Sequence, residues 1–469
     1  MVFANLIFLY LFLPANLILY FVTKNQVFRN IVLVLFSFFF YAWGEPVWII
    51  ILFISATGDY FHGLWVKKYF GTPKAKWGVV SSLILNLGIL TLFKYSGFLV
   101  ANINNITGLG LPVPGFILPI GVSFYTFQTI SYVVDVYRGD VQAQRNYMTF
   151  MLFVSLYHRL VAGPIVRYSE VEHEIGREQP YFTETSAGIS RFCVGLVKKV
   201  VVANYAGQLA GTYLNGNLAE LSCLGSWFGM LLYAIQLYYD FSGYSDMALG
   251  LGLMFGSHYN ENFRYPYIAR SVGEFWRRWH ISLSGFFRDY VYIPLGGNRR
   301  FVYRNLLIVW FLTGLWHGAN WNYIIWGLYY GALIMLERLF LRNVLDKLPR
   351  FLCHIYMIVI ALVGWTFFYF EDMSRLGKML STMFGFGSGG VADLQLGLTF
   401  SNNIFWLVLA VAFCIPIVPW LKKTIETKFS AAGRCAVTYL QSFANVGMLL
   451  LCTAMLVGES YNPFLYFRF

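Results

Sequence analysis

Residues 312–321 read LTGLWHGANW and place an imidazole, His317, inside a run from 305 to 336 with no Asp, Glu, Lys or Arg. A sugar or polyol hydroxyl is a poor nucleophile while protonated, and imidazole, which titrates near neutral pH, can accept that proton as a general base. The competing reading is a neutral ring hydrogen-bonded between helices. His280, in WRRWHISLS, is the second candidate. It can polarise an acyl carbonyl, orient a donor or hold His317, or its ring can simply sit at the membrane surface.

Around these imidazoles the chain concentrates cations and indoles. Residues 256–304 carry eight Arg and no Lys, against Glu261, Glu274 and Asp289. A guanidinium fork suits phosphate oxygens, so Arg277 and Arg278, with Trp276 and Trp279, are candidates to receive a phosphate-bearing acyl donor. The same arginines can instead anchor the segment on anionic lipid. Trp316 and Asn320 flank His317 and join the donor and substrate candidates. The stretch QLYYDFSGYSDMALG adds Asp240 and Asp246 to an apolar segment. Intramembrane carboxylates are costly and mark candidate sites, unless arginines from the 264–288 region merely neutralise them.

Other catalytic signatures are missing: there is no GxSxG elbow, no HExxH and no Walker loop. Six cysteines are scattered singly and read as packed thiols, with no metal site expected. The pattern favours base-assisted direct transfer over an acyl-enzyme.

The elements that position these groups are membrane helices. Of 469 residues, 58% are hydrophobic and 12% charged, against roughly 25% charged in soluble domains. Long uncharged stretches recur from residue 1 to 457, with no soluble domain, linker or repeat, which predicts one integral-membrane domain over 1–469. The expected class is all-α and polytopic, with roughly 10 to 12 embedded helices. Residues 1–22 read as a retained first span. Lys24 and Arg29, then Lys67, Lys68, Lys74 and Lys76, are basic clusters expected on the cytoplasmic side, with a turn at Gly44-Glu45-Pro46 between them and the N-terminus outside. The +12 charge is dispersed over membrane-flanking loops, so nucleic-acid binding is not indicated.

Three local expectations follow. A continuous helix over 305–336 would be about 48 Å long, beyond a hydrocarbon core of about 30 Å, so the run must bend or split at Thr313-Gly314 or Gly318-Ala319-Asn320, leaving His317 lined by Trp316 and Trp321. Phe275, Trp279, Leu283 and Phe286 form one apolar stripe, predicting an amphipathic, interfacial or re-entrant helix ended by Pro294 and Gly296-Gly297. In YHRLVAGPIVRY, the Gly163-Pro164 break implies a segment bordering a cavity, with His158 an interfacial residue.

These residues resemble the membrane-bound O-acyltransferase (MBOAT) family, in its bacterial branch typified by the alginate O-acetyltransferase membrane subunit. The likeness is carried end to end by VFANLIFLYLFLP, ILPIGVSFYTFQTISYVVDVYRG, LVAGPIVRY, YYDFSGYSDMALGLG, FWRRWHISLSGFFRDYVYIPLGGNR, LTGLWHGANW and YNPFLYFRF. The resemblance implies a multi-helix fold with a central tunnel, an essential histidine at His317 and a second catalytic-region position at His280. It implies no bound cofactor, with acetyl-CoA or another acyl thioester as donor from the cytoplasm. The acetyl group would pass to an extracytoplasmic polysaccharide, or to a secreted or anchored SGNH-type partner acyltransferase, from a bacterial cytoplasmic membrane. A related branch D-alanylates teichoic acid. A transporter or flippase also fits broken helices and buried carboxylates, and a non-catalytic scaffold is the third possibility.

Overall fold

The computed structural model describes residues 1–160, 163–175, 180–458 and 465. Val161 and Ala162 of LVAGPIVRY, and all of the closing YNPFLYFRF except Leu465, lie outside the described residues. Helices and turns account for the described chain, which contains no strand. Among the described residues, six helices are long and apolar enough to cross a membrane, or seven if the bent pair Leu394–Asn402 and Ile404–Ala412 is one span. This is fewer than the roughly 10 to 12 expected; Phe8–Val22 is apolar but shorter than a span. Lipid is their natural solvent: the spans Pro73–Thr107 and Val437–Gly458 bury only 11% and 6% of their most apolar window, and such helices satisfy every interior backbone group internally.

The chain divides into two compact units, Met1–Phe192 with Tyr244–Asn260, and Cys193–Gly243 with Glu261–Phe469. In the first, helices Gln26–Gly44 and Ile49–Lys68 form the expected hairpin, its turn beginning at Glu45. Asn25 starts the former, its side-chain oxygen accepting from the backbone N–H groups of Val27 and Phe28. A fully buried Asp59 is matched in place: it accepts from Asn86 Nδ2 at 2.7 Å and lies 2.9 Å from His62 Nδ1, while Ser55 Oγ donates to Asn86 Oδ1 at 2.6 Å. Polar groups in hydrocarbon persist when paired in this way.

His158 is fully buried, not interfacial. Its Nδ1 lies 3.0 Å from the Tyr259 hydroxyl, a partner 101 residues away that no local pattern announces. The expected cavity is present: Arg159, Glu174 and Tyr259 line a space of about 30 Å³.

The second unit carries both candidate histidines. Helices Val302–His317 and Trp321–Leu336 form a tight antiparallel hairpin. Glycines set their separation: a Cβ on Gly314 would meet Tyr323 O at 2.4 Å, and one on Gly327 would meet Trp310 O at 2.3 Å. The run therefore splits at 318–320, where Gly318 and Asn320 are extended, and Gly314 stays helical.

The arginine segment departs from its expectation. It is two short helices, Val272–Trp276 and Ile281–Phe287, broken at His280, whose φ of 44° is left-handed. The Asn262 carbonyl takes the N–H of Ile281 at 3.0 Å and its side-chain oxygen takes that of Ser282 at 3.1 Å, which diverts donors a continuous helix would use. Phe275, Trp279, Leu283 and Phe286 are nevertheless all buried, because each half presents its own apolar face inward. The last turn ends at Tyr292, just ahead of Pro294.

Candidate active site

His317 is the last residue of its helix and is 3% exposed. Its ring packs edge-on against Trp316 and Trp326, both with centroids at 4.9 Å, and against Phe368 at 5.3 Å. Trp321, expected to line it, is half exposed at the start of the next helix. Trp326 takes that place, because the helical turn of Trp321–Leu336 carries residue 326 back toward the break. The indole of Trp316 also faces His280, with ring centroids 6.1 Å apart, so one tryptophan lies beside both imidazoles. Asn320 occupies the extended residue before Trp321 without capping the helix by its side chain.

His280 is 1% exposed, packed edge-on against Phe241 at 4.7 Å. Burial lowers its imidazole to about 3. The ring is therefore neutral at physiological pH.

A basin of about 1160 Å³ opens on the arginine segment. Arg264, Arg270, Arg277 and Arg278 line it from one side of the sequence and Arg338, Arg342 and Arg350 from another, with Glu274, Glu337 and Asp346 as its carboxylates. Sequence reasoning missed the second group, which lies beyond the uncharged run. Glu337 anchors the segment: its carboxylate accepts from the N–H groups of Val272 at 2.5 Å and Gly273 at 3.0 Å and from the Tyr356 hydroxyl at 3.3 Å. Glu274 fixes Arg278 at 2.8 Å. Burial raises the Glu274 carboxyl, but the Arg270 N–H and the Arg278 guanidinium outweigh it and hold the group below its ordinary value.

An aromatic cluster links His317 to the residue before Arg277. Trp276, the residue before Arg277, lies edge-on to Trp326 at 5.5 Å, and Trp326 touches His317. Trp279 stacks on Phe275 at 5.7 Å and meets Trp365 at 4.8 Å.

A buried imidazole, a second neutral imidazole and a cationic basin suit transfer of an acyl group from a phosphate-bearing donor to a hydroxyl. Residues 140–377 match the family model described as MBOAT, membrane-bound O-acyltransferase family. Over the whole length of both chains, the sequence is 36% identical to a probable alginate O-acetylase, AlgI, of Azotobacter vinelandii. The chain belongs to the membrane-bound O-acyltransferase family. It is 33% identical to a peptidoglycan O-acetyltransferase of Helicobacter pylori, over 83% of this chain and 81% of that one. A teichoic acid D-alanyltransferase of Bacillus subtilis is 29% identical, over 47% of this chain and 59% of that protein. As a family member the chain is a multi-pass membrane O-acyltransferase, and the basin and both histidines fall inside the matched residues.

The two aspartates go to different partners. Asp240 lies 2.7 Å from Lys199, both buried, in the second unit. Asp246 belongs to the first unit and pairs with Arg191 at 2.9 Å. Arg264, Arg270, Arg277 and Arg278 line the basin, while Lys199 and Arg191 come from the preceding stretch of helix, residues 182–203.

The neutral burial of His280 has a measurable consequence. Its folded pKa lies below the unfolded value of about 6.5, so its contribution to stability is full above that pH and is lost as pH falls toward the folded value. In detergent melts, His280→Asn should retain more of its pH 7 stability at pH 5 than the wild-type enzyme does; equal losses in the two proteins would contradict neutral burial.

Proposed function

We propose that this O-acyltransferase moves acetyl groups from cytoplasmic acetyl-CoA to a hydroxyl of an extracytoplasmic polysaccharide, directly or through a secreted or anchored partner acyltransferase, in a bacterial cytoplasmic membrane with its N-terminus outside. In this reading His317 takes the proton from the attacking hydroxyl. The oxygen forms its bond to the thioester carbonyl carbon, the C–S bond breaks, and the proton leaves with the thiolate sulfur. Arg277 and Arg278, with the basin arginines, hold the phosphates, and Trp276 and Trp279 wall the passage of the acyl end. The observation that carries the reading is that Arg277 lines the basin while its neighbour in sequence, Trp276, meets Trp326, which packs on His317. The alginate and peptidoglycan relatives are both named for O-acetyl transfer to polymers, which supports acetyl over D-alanyl and enzyme over flippase.

The test is a donor comparison in membrane vesicles. Arg277→Gln with Arg278→Gln should raise the KM for acetyl-CoA about 10- to 100-fold, the scale expected for losing charge-assisted phosphate bonds. S-acetyl-pantetheine, which lacks the nucleotide phosphates, should be used equally well by both proteins. Equal impairment with both donors would remove the phosphate role. Movement of intact donor across the membrane without acylated polymer would favour the flippase.

A further inference from the structure

Asn262 is buried, and nothing in its local sequence marks it as functional. Its side-chain oxygen faces three groups: the backbone N–H of Ser282 at 3.1 Å, the Ser282 hydroxyl at 2.9 Å and Nδ1 of His280 at 3.2 Å. A backbone N–H can only donate, so the amide atom facing it must be the carbonyl oxygen, which settles the side chain's orientation. That oxygen can only accept. The Ser282 hydroxyl, 3.4 Å from Nδ1, donates instead to the nearer Asn262 oxygen at 2.9 Å, so Nδ1 of a neutral His280 carries the ring proton and Nε2 a lone pair.

We propose that Asn262 is a positioning residue that locks His280 in the Nδ1–H tautomer, so that Nε2 serves the transfer reaction as a hydrogen-bond acceptor toward a hydroxyl or toward the N–H of His317, and not as a donor to an acyl carbonyl. The proposal rests on the assignment of His317 and His280 to the reaction. Backbone geometry supports it. His280 sits at φ 44° and ψ 56°, a left-handed conformation that costs a side-chain-bearing residue energy, and Asn262 holds it there through its own carbonyl on Ile281 as well as its side chain on Ser282. Strain held by a buried amide next to a candidate catalytic ring is what a fixed tautomer requires. Burial keeps the imidazole from gaining the second proton that would turn Nε2 into a donor. An accepting Nε2 leaves His317 free to act as the base while the hydroxyl, or the His317 ring itself, is oriented by a group that never exchanges charge.

Nitrogen NMR of histidine-labelled enzyme in nanodiscs reads the tautomer directly, with the His280 signals assigned by their loss in His280→Gln. The wild-type protein should show a protonated Nδ1 and a bare Nε2. Asn262→Leu should shift the population toward the Nε2–H tautomer and lower the acyl-transfer rate about 100-fold, in the range of a proton-handling group, with donor KM unchanged. Asn262→Asp, which keeps an acceptor for both Nδ1–H and Ser282 N–H, should keep Nδ1 protonated, while its negative charge favours the imidazolium and lowers the rate as pH falls. A protonated Nε2 in the wild-type spectrum overturns the proposal, and so does Asn262→Leu with wild-type tautomer and rate. Where Asn262→Leu fails to insert, the wild-type and Asn262→Asp spectra decide. Full activity in a His317 variant would remove the base assignment while leaving the tautomer measurement standing, so the two failures are separable.

Discussion

Membranes carrying His317→Ala should insert the enzyme at wild-type levels and transfer no detectable acyl group to polymer. A positioned general base contributes about 10²- to 10⁴-fold, and the rings packed on His317 include Trp316, Trp326 and Phe368, none of which can take up a proton as a base. Alanine also removes an aromatic partner from that packing, at about 0.5–1.5 kcal/mol per ring pair beyond burial. His317→Gln, closer in volume but without a titrating nitrogen, separates the two effects: it should fold as wild type and be as inactive as the alanine variant. Ester-linked acyl content of isolated wall and capsule fractions is the readout. Unchanged acyl content in His317→Gln would end the assignment of this ring as the base, and full assembly with lost acylation would exclude a purely scaffolding role.

The second large effect is expected on stability. Lys199→Met should leave the Asp240 carboxylate without its counter-charge in a site where the two side chains are 5% and 2% exposed. Removing one member of a buried ion pair costs about 3–5 kcal/mol, whereas replacing both by apolar groups of similar size is close to neutral. The backbone N–H of Leu465 also donates to Asp240, at 3.0 Å, so part of the charge stays solvated by the protein. Thermal unfolding in detergent should therefore show a strongly destabilised Lys199→Met, with most of the loss recovered in Lys199→Met/Asp240→Leu. If the double variant also keeps wild-type acyl transfer, Asp240 serves the fold alone. Loss of activity in a stable double variant would return Asp240 to the substrate-binding set.

Sequence alone determined what depends on neighbours along the chain. The apolar composition required membrane helices, and the length of the 305–336 run required a break, which the structure places at Gly318 to Asn320, beside His317. The helix end ahead of Pro294 follows from turn chemistry of the same kind. Tertiary structure decided every pairing between residues far apart: Lys199 with Asp240, Glu337 with the N–H groups of Val272 and Gly273, Arg338 to Arg350 with the basin of Arg264 to Arg278, and Asn262 with His280. Hydrophobic periodicity marks which face of a helix is buried, but a buried face has no signature for the partner it meets. That is why the candidate imidazole His317 could be read from ten residues, while Asn262 beside His280, and the left-handed break that turns one expected helix into two, emerged only once the chain was folded.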